Sequence, residues 1–221
     1  MSVSDLARRL PGIDELRDRS RAMAMVEAVL SPDRHLRHHA FHAGWGEGAQ
    51  LASRDNGSGD GYSIVFSAAG AYICGFDHES PMSPYVTDDG EVWPGLLDGV
   101  PEVFQHHVVE PAFRDEDGTH AVTVCLWREA GDARWRHGTF DYPNGDTRAD
   151  GASYLFGLLT DATSAAFTDF AADYYGREID LDAVRHVFAL RPLDEAVVAA
   201  LNPQVVLADL QEDIRHIGYP R

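Results

Sequence analysis

The chain has 221 residues, 44% hydrophobic and 10% aromatic, the balance of a protein that buries a sizeable core and not of a disordered one. Asp and Glu number 36 against 18 basic residues, a formal net charge of −18, and a surface of that sign repels the phosphates of nucleic acid. No apolar run approaches the roughly 18 to 20 residues of a membrane span; the charged N-terminus lacks the apolar stretch of a secretory signal, and a cytoplasmic location is expected.

All 18 basic residues are arginine. Without lysine there is no Walker-type phosphate loop, no Schiff-base or pyridoxal-phosphate chemistry and no kinase of the common protein kind. The two cysteines, Cys74 and Cys125, lie inside apolar strand-like runs and make neither a disulfide framework nor a tetrahedral sulfur site. Their reading is buried and reduced.

Taken in chain order, residues 4–10 read as a short leading turn, and Pro11-Gly12 separates it from an amphipathic helix over 14–30 with Leu16, Met23, Val26 and Leu30 near a 3.6-residue period. The segment SPDRHLRHHAFHAGWG suits two conformations. A helix would bring His35, His38, His39 and His42 to one face, whereas a strand would split them. The strand is favoured, because histidine is a mediocre helix former and strand-like segments follow at once. A β-meander comes next, over 49–53, 62–66 and 71–76, then a loop carrying Pro81, Pro84 and Pro94. A short helix is expected over 100–109 and a second hairpin over 121–128 and 134–142, turning at Gly131-Asp132. After Asp150 the helical segments are 152–159, 164–175, 181–188, 193–201 and 205–214. The fold expected is α+β: an antiparallel sheet of five or six strands, an N-terminal helix and a helical C-terminal region. One domain is expected over 1–221, with 151–221 as a possible helical subdomain. Its core should contain Ile64, Phe66, Ile73, Phe76, Val124, Leu126, Phe167 and Phe170.

Asp77-His78-Glu79, just past a strand end, is the best candidate site, because a rigid strand positions the loop that carries it. Loop structure or a binding edge is the leading reading. The candidate binding surface is Asp77, His78, Glu79, Asp88, Asp89, Glu91 and Trp93. The alternative is a metal-dependent hydrolase with His78 and Glu79 as ligands, which would have to recruit His106, His107, His120 or His137. His78-Glu79 fails the zinc metalloprotease spacing, because position 82 is Met and Pro81 would break the helix. The loop Asp55-Asn56-Gly57-Ser58-Gly59-Asp60-Gly61 fails as a calcium-binding loop, since Gly57 stands where a carboxylate or amide ligand is needed. It reads instead as a hairpin turn. Gly44-x-Gly46-x-Gly48 lacks the following helix of a dinucleotide site, and no serine-hydrolase elbow or Cys-x-x-Cys is present.

The run NGSGDGYSIVFSAAGAYICGFDHESPMSPY, with WPGLLDGVP, VCLWREAGDARW and the closing DIRHIGYP, resembles an uncharacterised family of bacterial proteins of similar length. That likeness implies no activity and no catalytic residue. In build, acidic α+β with a meander, the chain also resembles bacterial toxin-immunity proteins. The expectation is a non-enzymatic binding module without cofactor, whose acidic surface favours a basic protein partner over nucleic acid or membrane.

Overall fold

The computed structural model describes residues 1–87, 90–115, 118–161 and 163–221. Helix α1 (Val3–Arg9) starts at Ser2, whose hydroxyl accepts from the Asp5 amide while the Asp5 carboxylate accepts from the Ser2 amide. This reciprocal cap nucleates a helix where a turn was expected. Helix α2 (Ile13–Leu30) follows Gly12, with Asp14 and Glu15 in its first turn, where the helix dipole favours negative charge. Every residue from Ala22 to Leu30 is buried, so the second half of α2 runs through the protein interior.

The histidine segment resolves as a 3-10 turn at Arg34–Leu36, capped by Asp33, followed by strand β1 (His39–Gly46). Strands β2 (Ala49–Asp55), β3 (Gly61–Ser67) and β4 (Gly70–Phe76) complete the meander. The turn between β2 and β3 closes on its own side chains: the Gly57 amide donates to Asp55 Oδ1 and the Ser58 amide to Asn56 Oδ1. Gly57 and Gly59 have φ of 71° and 97°, which glycine adopts without strain. Next come a 3-10 turn at Glu102–Phe104 running into helix α3 (Gln105–Val108), and strand β5 (Val124–Glu129). Among the described residues the sheet has five antiparallel strands in the order β1-β2-β3-β4-β5.

The expected second hairpin is corrected. Residues after Gly131 meet β5 through a single bridge, Trp127 to Arg136. Trp135 turns inward instead, buried, with its indole N–H donating to the Pro11 carbonyl at 2.8 Å. Gly138 then lies so close to the Gly95 and Leu96 carbonyls that a Cβ there would sit 2.2 Å from oxygen. Packing of one loop on another replaces the sixth strand.

The remaining helices are α4 (Ala152–Leu155), α5 (Gly157–Thr160), α6 (Ser164–Tyr175), α7 (Leu181–Phe188), α8 (Glu195–Leu201) and α9 (Gln211–Ile217). Thr163, Asp180 and Asp194 cap α6, α7 and α8 through their side chains, and Gly176 and Gly218 end α6 and α9 in left-handed conformation.

The sheet is covered on both faces. Ile64, Phe66, Ile73, Val124 and Leu126 face α2 and the C-terminal helices in one continuous core that includes Phe167. Phe76 and Phe170, expected in the core, are half-buried. On the opposite face Tyr72, Cys74, Cys125 and Trp127 are covered by Met82, Leu96, Val100 and Phe104 from the loop between β4 and β5. Each such large side chain contributes about 1.5–3 kcal/mol on burial. Both cysteines are free and buried, and burial pushes the Cys125 thiol up to about 12.

Candidate functional site

The loop after β4 is placed by the hairpin beside it. Gly61 pairs with Phe76, which sets Asp60, just before β3, next to His78, just after β4. Asp60 Oδ1 accepts from the His78 amide at 2.9 Å and meets His78 Nδ1 at 2.7 Å, while Asn56 Nδ2 donates to Asp60 Oδ2 at 2.7 Å. Burial alone would raise the Asp60 pKa, but the bonds from His78 and Asn56 outweigh it and hold the carboxyl below its usual value. The same Asp60 bond raises His78. Asp77 is half-buried, and burial pushes its carboxyl up. It lies against Gly151 (φ 75°), where an added Cβ would stand 2.4 Å from the Asp77 carboxylate.

Asp60, Asp77 and His78 present ligand atoms within 4.8 Å of one another. Two carboxylates and an imidazole suit a divalent cation of hard or borderline character. Glu79 is not in this group: its amide donates to Asp77 Oδ1 and its side chain is exposed. Nor are His106, His107, His120 or His137; Asp60, from the turn before β3, takes their place.

Beyond Asp77 the loop is anchored from beneath. Met82 and Ser83 are fully buried, and successive turns bond the Ser80 amide to the Asp77 carbonyl and the Ser83 amide to the Ser80 carbonyl. That anchorage holds Tyr85 and Val86 outward at 55% and 60% exposure. Between this loop and residues 139–141 lies a groove of about 760 Å³, with Pro81, Val86, Trp93 and Phe140 as apolar walls and Glu91 and Asp141 as acidic members. Trp93 is half-buried, its indole N–H donating to the Asp141 carbonyl at 2.9 Å. Gly95 (φ 84°) lets the backbone close on the Thr139 carbonyl. Of the candidate surface, Glu91 and Trp93 meet at this groove, and Asp77, His78 and Glu79 precede it in the loop. Asp88 and Asp89 lie outside the described residues.

The four N-terminal histidines separate. His35 is exposed on the turn, His38 stacks on Tyr174, and His42 Nδ1 meets His216 Nε2 at 2.7 Å. His39 is buried, and its Nδ1 lies 2.6 Å from Glu27 Oε1. Glu27, fully buried on α2, also accepts from the His38 and His39 amides and from the Tyr175 hydroxyl. Sequence reasoning missed this network. Its one legible signal is a carboxylate on the apolar face of α2, between Met23 and Leu30.

Comparison with protein-family models, curated proteins and solved structures found no match to this chain.

Proposed function

We propose that this protein is a non-catalytic binding module whose groove between the 81–95 loop and residues 139–141 receives a basic polypeptide segment. One observation carries the reading. Val86, the most exposed apolar side chain of the loop, lines an aromatic groove that includes two carboxylates, on a chain of net charge −18. Apolar walls supply contact area, and acidic members select cationic side chains and speed encounter. Met82 and Ser83 anchor the chain that leads to Val86, so binding there would order few new groups. The likeness to toxin-immunity proteins read in the sequence points the same way.

Selection from a random peptide library at low salt tests the reading. Peptides enriched in arginine and lysine around an apolar residue, with binding lost in Trp93→Ala, are expected. Selected peptides without basic enrichment, or equal binding by Trp93→Ala, would contradict it.

The Asp60, Asp77 and His78 cluster favours a second reading, a divalent-cation site supporting hydrolysis. Metal analysis of tag-free protein separates the two. About one equivalent of a divalent metal, lost in Asp60→Asn, would support the second; less than about a tenth would remove it.

A further inference from the structure

A second cavity, of about 470 Å³, opens between the sheet and helices α4 to α6. Its floor is a cross-strand row: His39 on β1 pairs with Arg54 on β2, and Arg54 with Tyr62 on β3. Ala52 and Tyr62 point from the same face into the helical core, so Arg54 points there too. Arg54 is only 9% exposed, and its guanidinium lies 5.0 Å from the ring of Tyr154, which also lines the cavity.

Two groups in this row lack the partners that burial demands. Arg54 Nη1 and His39 Nε2 are both buried with no hydrogen-bond partner among the described residues. Elsewhere the chain pairs such arginines: Arg37, similarly buried, bonds Asp213 at 2.9 Å. Glu27 does not fill that role for Arg54. It sits behind the His39 ring, committed to Nδ1, two backbone amides and Tyr175, which turns Nε2 to the opposite edge of the ring. A buried guanidinium nitrogen without a partner is costly, and an anion brought within its reach relieves that cost.

We propose that this cavity binds a small monoanionic carboxylate carrying an aromatic body. The carboxylate accepts from Arg54 Nη1 and, with hydrogen on both ring nitrogens of His39, from Nε2, and the body lies among Tyr154, Phe170 and Tyr174, which line the same space. Asp161 and Asp173 also line the cavity and are exposed. Their charge disfavours a dianion such as phosphate and selects the singly charged ligand. The volume suits a molecule of this size. The site is separate from the groove of the proposed function and does not rest on that reading.

The test is calorimetric titration and thermal shift of the full chain with 3-phenylpropionate, with 3-phenylpropanol and inorganic phosphate as comparisons. Saturable binding and a raised melting temperature are expected with 3-phenylpropionate alone. Arg54→Met keeps the buried apolar stem and removes a nitrogen that burial leaves unpartnered, so it should fold with undiminished melting temperature, and it should weaken binding about tenfold or more. Ala166→Phe, which narrows the cavity from α6 without altering the row, should also block binding and stands as the test should Arg54→Met fail to fold. No binding of 3-phenylpropionate, equal binding of the alcohol, preference for phosphate, or unchanged binding by the folded variants would overturn the proposal.

Discussion

Glu27 is the residue on which the interior depends most sharply. Its carboxylate accepts from four donors, two of them backbone amides that open β1. Glu27→Gln keeps the shape but converts one acceptor oxygen into a donor that faces other donors. The expected loss is about 2–4 kcal/mol by urea denaturation; a loss under about 1 kcal/mol would contradict the network. Two other histidines make opposite contributions to the pH dependence. His107, buried against Tyr72 and Phe104, is held down to about 4, first by burial and then by the neighbouring His106. The unfolded chain takes up that proton near 6.5, so the stability His107 contributes is full above pH 6.5 and is lost as pH falls toward 4. About 3 kcal/mol should separate the two ends of this window. Denaturation across pH 4–7 of wild type and His107→Phe checks it, the variant being flatter. His78 has the reverse sign: its bond to Asp60 raises its pKa, so its contribution is present below 6.5 and fades as pH rises above that value.

At the scale of elements, much of the fold was legible, because it rests on local patterns. The meander follows from alternation in 62–66 and from glycine-bearing turns, and the register places Ile64 opposite Ile73 as those patterns require. Phe66→Ala should cost about 3–5 kcal/mol, since Phe66 is buried and stacks on Phe41. A loss under about 1 kcal/mol would mean that the strand face is wrong. What failed were elements decided by distant partners. Trp135 abandons the expected strand for the Pro11 carbonyl, a contact 124 residues away that no local pattern signals. The sheet's second cover is irregular chain, so periodicity could not announce it. Helix α1, expected as a turn, did carry a local signal in its Ser2–Asp5 cap, and that signal was missed. The candidate site divides in the same way. His78 was visible past its strand end, whereas Asp60 becomes its partner only through the pairing of β3 with β4. Gly151→Ala, which drives a Cβ onto Asp77 at a positive φ, should destabilise by at least about 2 kcal/mol. His78→Ala and Glu79→Ala, on exposed side chains, should stay within about 1 kcal/mol of wild type. Thermal unfolding of the three variants separates loop strain from loop function.

For the whole molecule, charge is the dominant property: a net −18 spread over an accessible surface of 10757 Å². No helix of the described residues is long and apolar enough to cross a membrane. The proposed binding groove was not legible as a motif, because a groove made by Val86, Trp93 and Phe140 exists only once two loops pack together. The sequence reading named Trp93 and the acidic loop but had no means of bringing Phe140 and Asp141 to it. The most direct measurement is a nitrogen-edited NMR titration of the full chain with a twelve-residue peptide alternating arginine and leucine, repeated with glutamate in place of arginine. The account predicts saturable shifts confined to the Val86, Thr87 and Gly95 amides, the Trp93 indole and residues 139–141. These shifts should weaken as salt rises and be absent with the glutamate peptide. Shifts centred elsewhere, or the same response to both peptides, would contradict it.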